Sequence, residues 1–386
     1  MLIYQLIIVC CLLAFLAILL WNLGELSALP KKAPEEEGAL PLVSVLVPAR
    51  NEENSIERCI TSLLHQDYTN FELIVLNDGS TDRTGQILEK LSLSVDQPLL
   101  RVIDGKPLPE GWHGKAWACS QLGGAARGDF LLFTDADTSH SPDSLSRSVA
   151  AMQKSGADML SMTPRQEMQS FWEKLVVPLI YFILLCYLPL KLVHASPAPS
   201  LCFANGQFLM FRRKMYEDIR GHGSVRTNLV EDVGLCKAVK RQAGKVLSYN
   251  GMETVSCRMY RNFAEVWQGF SKNLFAGLGY NTPLLFILMV ITVLVYIAPY
   301  GFLISSVAQA DFSPVYFWLP LLQVLVALVS RLLIAGQFSQ PLSGALLHVF
   351  SQVALLGIAA NSFFLVTFGK GSQWKGRRYN FSGKGG

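Results

Sequence analysis

Hydrophobic positions along the chain follow two rhythms. Leu2–Leu20 is an unbroken apolar run, and three more, Pro283–Val307, Pro314–Leu333 and Leu342–Phe368, crowd the C-terminal third. Each is about as long as the ~20 residues a helix needs to cross a ~30 Å hydrocarbon layer. Between these runs, residues 39–278 alternate on a shorter scale. Leu42–Pro48, Phe71–Asn77, Leu100–Asp104 and Phe130–Thr134 are short apolar runs that predict buried strands. Ser55–His65, Thr84–Leu91 and Ala116–Ala126 have helical spacing, with Ile56, Ile60 and Leu63 on one face of the first. Strand–helix alternation of this kind predicts an α/β domain whose mostly parallel sheet is covered on both faces.

The membrane segments divide the chain. No lysine or arginine precedes Leu2–Leu20, and the run exceeds the ~7–15 apolar residues of a signal peptide core, so an uncleaved anchor over residues 1–22 is expected. Lys31 and Lys32 follow it and favour a cytoplasmic location for what comes next. The expectation is a multi-pass protein of the cell (inner) membrane with its catalytic domain in the cytoplasm. Leu175–Val193 is also apolar but holds Pro178 and Pro189, and reads as an interfacial or re-entrant helix inside the 39–278 domain. The 283–368 region carries His348, Ser351, Gln352, Asn361 and Ser362 in its last run, which argues for packing against neighbours there. Three full crossings in that region would put the basic tail, 369–386 with Lys375, Arg377 and Arg378, outside, against the preference of its charges. Either the tail lies there or one of the three is a partial insertion; the sequence leaves both open. Leu29–Leu40, with its prolines and acidic run, is a linker from anchor to domain.

Composition agrees with this division and removes some functions. Of 386 residues, 51% are hydrophobic and only 16% charged, too apolar for a wholly soluble protein. The net charge of +4 comes without a concentrated basic patch, so no nucleic-acid partner is expected. The eight cysteines show no zinc-type spacing and read as thiols in a reducing compartment.

Candidate chemistry sits where the strands end, which is where open parallel sheets bind ligands. Phe133-Thr134-Asp135-Ala136-Asp137 places two carboxylates just past a buried strand, hard oxygen ligands suited to Mg²⁺ or Mn²⁺ holding a diphosphate; a polar strand exit would use the same residues. Val47-Pro48-Ala49-Arg50-Asn51-Glu52 and Asn77-Asp78-Gly79-Ser80-Thr81-Asp82 follow two other strands. Asp78 can accept from a nucleobase N–H, and Gly79 permits close approach. Turn and cap chemistry accounts for these residue types but not for their place at adjacent strand ends. In Leu229-Val230-Glu231-Asp232, a carboxylate could take the proton of an attacking hydroxyl, or serve only as charge at a helix start.

The order of these motifs resembles the family 2 inverting glycosyltransferases of the GT-A fold, across essentially the whole 39–278 domain. Two further stretches, Gly111-Trp112-His113-Gly114-Lys115-Ala116-Trp117-Ala118-Cys119 and Arg258-Met259-Tyr260 leading into Trp267-Gln268-Gly269-Phe270, resemble the membrane-bound subgroup. That subgroup includes diaponeurosporenoate (carotenoid) and hopene-associated glycosyltransferases. The resemblance implies a hexosyltransferase in which Pro48, Arg50, Glu52, Asp78, Lys115 and Asp135 bind the nucleotide-sugar, UDP-glucose by expectation. It implies that Asp137 and Asp135 hold the metal and that Asp232 with Glu231 is catalytic. Trp267, with Phe270 and Phe275, could form a wall for a lipophilic acceptor in the bilayer, with Arg258 beside it, although aromatics at helical spacing more often belong to a core. The Gln-x-x-Arg-Trp signature of processive synthases is missing; Cys257-Arg258-Met259-Tyr260 stands in that region. Transfer of a single sugar is therefore expected. A polyprenyl-phosphate acceptor is the alternative, with Arg212, Arg213 and Lys214 as the cations it would need, and a nucleotide-binding scaffold without turnover is a second.

Overall fold

The computed structural model describes residues 1–31, 40–94, 99–368 and 372–379. Lys32 and most of the 29–40 linker, like the ends of the 369–386 tail, lie outside these residues. The chain divides into two compact units: Leu26–Glu167 with Lys191–Met259, and Met1–Glu25 with Met168–Leu190 and Tyr260–Gly386.

The first unit is built on an eight-stranded sheet. Its strands are β1 (Val43–Ala49), β2 (Phe71–Asn77), β3 (Leu100–Asp104), β4 (Phe130–Phe133), β5 (Thr138–His140), β6 (Met159–Gln166), β7 (Leu209–Arg212) and β8 (Val246–Cys257). Their order across the sheet is β3-β2-β1-β4-β7-β6-β8-β5. β1 pairs in parallel with β2 and β4, and β2 with β3; β7 runs antiparallel to β4 and β6, and β5 to β8. Alternate side chains of a strand face opposite sides, and both sides here are apolar. Val43, Val45, Val47, Leu73 and Val75 pack on one face with Ile56, Ile60, Leu88 and Leu145. Leu46, Ile74, Leu76 and Leu131 pack on the other with Cys119, Leu122, Leu235 and Val239. Burial on both faces is why these strands read as near-continuous apolar runs.

Register brings the strand ends level. Ala49 pairs with Asn77, and Asn77 with Asp104, so the loops after β1, β2 and β3 open at one edge together with the loop after β4. β7 runs the other way: Leu209 pairs with Phe133 at that edge, and Arg212 with Phe130 at the opposite one.

The second unit is helical. Four of its helices, Leu2–Glu25, Thr282–Gln309, Pro314–Gln337 and His348–Thr367, are long and apolar enough to cross a membrane. Asn281 caps the second by accepting from the Leu284 N–H, and a π-helical turn at Val293–Ile297 precedes Pro299 within it, where the missing N–H would otherwise break the ladder. The expected 342–368 run is two helices, Leu342–Leu346 and His348–Thr367. The 175–193 stretch breaks at its prolines into Phe171–Val176, Leu179–Tyr187 and Leu190–Ala195. The longest of these rises only about 14 Å, at ~1.5 Å per residue. Helix Phe263–Gly277, inside the 39–278 range expected for the α/β domain, clusters with this helical unit.

Candidate active site

Four loops of the α/β unit carry the charged residues singled out in the sequence. Pro48 ends β1, and Arg50 follows it. The Arg50 guanidinium donates to the Asp78 carbonyl and, at 3.0 Å, to the Gly79 carbonyl. It thus pins the loop after β1 to the loop after β2. Gly79 has φ +62°, a conformation a side chain would strain, and a Cβ there would meet Arg50 Nη1 at 3.5 Å. Asn51 Oδ1 accepts from the Thr81 N–H at 2.8 Å, and Thr84 Oγ1 accepts from the Glu52 N–H at 2.7 Å. Asp78 is 4% exposed and its N–H donates to the Ala49 carbonyl at 2.8 Å.

Lys115 is the centre of the charge cluster. It lies in the first turn of helix Gly114–Ala125, and its Nζ is 2.8 Å from both Asp135 Oδ1 and Glu231 Oε1. Burial alone would lower this ammonium, but the carboxylates of Asp135 and Glu231 outweigh it and hold the group well above its ordinary value. Burial pushes the Cys119 thiol up, one turn on along the same helix. Lys115 opposes that effect and the charges of Glu231, Asp135 and Asp78 add to it.

Asp232 lies in the first turn of helix Glu231–Arg241. One carboxylate oxygen accepts from the Gly206 N–H at 2.9 Å and the other from its neighbour Val233 N–H at 2.8 Å. Its carboxyl is pushed up to about 6, first by burial and then by Glu231, with Lys115 and the two N–H donors pulling the other way. That value suits a group that takes a proton near neutral pH.

Asp137 and Arg258 flank the β5–β8 pair, where Thr138 faces Cys257. The Arg258 N–H donates to the Asp137 carbonyl at 3.4 Å, and the Cys257 thiol hydrogen-bonds the Asp137 side chain. Gln166 Nε2 donates to Gln207 Oε1 at 2.8 Å, and Gln207 Nε2 is 3.0 Å from Cys257 Sγ, so a chain of buried polar groups backs Asp137. Among the described residues no group of three or more His, Cys, Asp or Glu is gathered as a metal cluster. Asp135 and Asp137 nevertheless fit a divalent ion bound jointly with a diphosphate, because Mg²⁺ ordinarily takes only one or two carboxylates and completes its shell with phosphate oxygens and water.

Trp267 is placed in the helical unit, on helix Phe263–Gly277, packed with Phe263 at 5.6 Å between ring centroids and against Gly357. It is partly buried in an apolar cluster with Val266, Leu355 and Ile358. The cations expected to serve a phosphate acceptor are otherwise engaged. Arg212 donates to the Ala157 and Met152 carbonyls, Arg213 to Gly128, and Lys214 pairs with Asp218 at 2.9 Å. All three follow from the end of β7 at the sheet edge opposite Asp135.

Sequence reasoning missed Gly206 and Gln207. A Cβ on Gly206 would lie 3.1 Å from Lys115 Nζ and 3.5 Å from Asp232 Oδ2, so a larger residue would ask the lysine tip to give by a few tenths of an ångström. The one signal was a small polar turn, Asn205-Gly206-Gln207, opening strand β7, and nothing in that pattern points forward to Asp232.

Residues 44–220 match the pattern of Glycosyl transferase family 2. The chain carries a family 2 glycosyltransferase domain. It is 25% identical over 94% of its length, and 94% of the other's, to 4,4'-diaponeurosporenoate glycosyltransferase of Staphylococcus haemolyticus (strain JCSC1435). It is 27% identical to the enzyme of the same name from Staphylococcus aureus (strain USA300), over 62% of this chain and 63% of that one. In fold, the glycosyltransferase is similar to a mannosyltransferase from Pyrobaculum calidifontis solved with GDP-Man and Mn²⁺, with a TM-score of 0.52 at 16% identity over 95% of this chain and 99% of that one. The architecture is therefore GT-A with membrane-type helices on either side in sequence, and the chain is an enzyme of the glycosyltransferase class.

Proposed function

We propose that this glycosyltransferase moves one hexose from a UDP-sugar, UDP-glucose first among them, to a lipid acceptor of the carotenoid or terpenoid type, with inversion. The observation that carries the reading is the meeting of Asp135, after β4, and Glu231, beside Asp232, on the single Lys115 ammonium. This joins the loop that would hold the donor's diphosphate to the helix that would hold the base. Pro48, Arg50, Glu52 and Asp78 line the nucleotide side, with Asp78 on the base. Asp232 receives the proton of an acceptor hydroxyl as its oxygen attacks the anomeric carbon, while Gly206 and Val233 fix the carboxylate's direction. A carboxylic acid acceptor, already ionised near neutral pH, would ask Asp232 for orientation more than for proton transfer. Asp135 and Asp137 would hold Mg²⁺ or Mn²⁺, which neutralises charge on the departing diphosphate. Trp267 and Arg258 are assigned to the acceptor. The relatives' name supports an acidic terpenoid acceptor, and the engaged Arg212, Arg213 and Lys214 weigh against a polyprenyl phosphate. Membranes bearing the chain, given UDP-glucose and a terpenoid acid or alcohol, are expected to yield a lipid heavier by one hexose. EDTA should abolish that product and Mn²⁺ restore it; UDP release without any glycosylated lipid over a broad panel would sink the acceptor class, and activity in EDTA would sink the metal.

The helices of the second unit support three crossings and a cytoplasmic tail. Tyr4 donates to the Leu294 carbonyl at 2.9 Å, and Gln323 Nε2 to Gln5 Oε1 at 2.8 Å, so the start of helix Leu2–Glu25 lies beside the first half of Pro314–Gln337 and the middle of Thr282–Gln309. His348 lies at Tyr296, 5.6 Å between rings, midway along Thr282–Gln309, while Phe363 lies at Phe286, also 5.6 Å. Helix His348–Thr367 thus starts level with the middle of Thr282–Gln309 and runs about 30 Å, at ~1.5 Å per residue, toward the Thr282 end. It is the partial insertion, and the tail leaves on the side of Glu25, the cytoplasmic side by the Lys31 charge. A green fluorescent protein fused after Gly386 is expected to fluoresce and an alkaline phosphatase at the same place to stay inactive. The reverse pattern would restore a fourth crossing.

A further inference from the structure

The helical unit contains a group of buried polar side chains to which sugar transfer gives no work. Arg331, in the second half of helix Pro314–Gln337, has no exposed surface. A guanidinium brings five N–H donors and a permanent charge. Its Nη1 is 3.3 Å from Gln340 Oε1, but Nε and Nη2 are buried and meet no acceptor. Among the described residues no carboxylate lies within ion-pair distance of it.

Its neighbours offer more donors. Gln340, 6% exposed, has a buried Nε2 with no acceptor. His348, 3% exposed, lies within electrostatic reach of Arg331. The Gln352 amide nitrogen is 3.2 Å from His348 Nε2. An amide nitrogen only donates, so Nε2 is the acceptor and the neutral ring carries its hydrogen on Nδ1. That Nδ1 is buried and meets no acceptor either. Phe182, 4.7 Å from the His348 ring, and Tyr296 wall the group with aromatic surface.

Arg331 Nε and Nη2, Gln340 Nε2 and His348 Nδ1 are thus donors left without an acceptor around one uncompensated positive charge. In a low-dielectric interior such a charge is heavily penalised unless an anion pairs with it, and an ionisable residue inside a membrane segment is retained for a partner. A guanidinium fork matches the two oxygens of a carboxylate or a phosphate. Leu342 and Leu346, on the short helix between Gln340 and His348, are 60% and 62% exposed and offer apolar surface to an acyl or terpenoid chain attached to such a group.

We propose that Arg331, Gln340 and His348 form a binding site for an oxyanion carried by a lipid. The proposal is independent of the sugar-transfer reading. It is tested on the purified full-length protein in a neutral detergent by thermal unfolding and native mass spectrometry. Phosphatidylglycerol, oleate, phosphatidylcholine and inorganic phosphate are added separately. Phosphatidylglycerol or oleate is expected to raise Tm by several degrees over phosphatidylcholine and to remain bound as a stoichiometric adduct. Arg331→Met should lose that shift and about tenfold in retention, yet be no less stable than wild type without lipid, since the unpaired charge is gone. Gln340→Leu keeps the charge but removes one donor together with the oxygen Arg331 Nη1 donates to, and should lose retention a few-fold; it keeps the test open if Arg331→Met does not fold. An equal shift from inorganic phosphate or from phosphatidylcholine, or full retention in either variant, would overturn the proposal.

Discussion

Asp232→Asn is expected to lower kcat for transfer to a hydroxyl acceptor by about 10²–10⁴-fold, with the donor KM little changed. The carboxylate holds the Gly206 and Val233 N–H groups, one on each oxygen. An asparagine keeps one of these contacts and cannot take a proton. With a carboxylic acid acceptor the loss should sit at the low end of that range, because no proton needs removing. The pH profile gives an independent reading. Asp232 is raised from 3.8 to about 6, so wild-type activity should climb with pH through about 6 and level off, and the variant should lack that limb. The same shift has a consequence for stability. A carboxyl whose folded value lies above its unfolded one binds its proton more tightly in the folded state, so the group's contribution to stability falls as pH rises from about 4 to 6. The asparagine variant has no such loss, and its Tm at pH 7 should equal or exceed wild type. Lost activity with retained Tm is the signature of chemistry removed; an unchanged kcat would end the assignment of Asp232 as base.

What could be foreseen in the sequence was what local physics dictates. Both faces of β1, β2 and β4 are buried, so their residues form apolar runs whose limits could be read within a residue or so: Phe71–Asn77 was placed at its observed limits, and Val43–Ala49 begins one residue after the expected Leu42. Strand ends then showed where Arg50, Asp78, Asp135 and Asp137 had to stand, because a parallel sheet opens its loops at one edge. Long-range pairing was not visible in this way. Nothing near Lys115 in the chain announces that its amine lies between Asp135 and Glu231, and Gly206 reads as one more turn glycine until its N–H is seen to hold Asp232. The helical region shows the same limit. Hydropathy identified an apolar run at 342–368, but only the contacts of His348 and Phe363 with the Thr282–Gln309 helix give its direction against that helix.

Lys115→Met should move the acid limb of the rate profile above the wild-type value of about 6, as well as reduce the rate. Lys115 is a cation holding Asp232 down, and Glu231 pushes it up. Removing the ammonium leaves Asp135, Glu231 and Asp232 as acids in one partly buried corner, where like charges favour retaining protons. The fold suffers too. Breaking a fully buried pair costs about 3–5 kcal/mol, and with the Lys115 and Asp135 side chains 26% and 25% exposed, water returns part of it, so a loss of about 1–3 kcal/mol is expected from urea unfolding at pH 7. That loss should shrink at pH 5, where Asp232, raised to about 6, carries its proton and adds no negative charge. Lys115→Arg separates charge from shape: it restores the cation but asks a broad planar fork to fit where Gly206 leaves room for a compact ammonium. The arginine variant should therefore recover most of the stability and the position of the acid limb while regaining little of kcat. If the limb stays near 6 in Lys115→Met, the lysine does not tie the diphosphate loop to the base, and the two halves of the proposed site act separately.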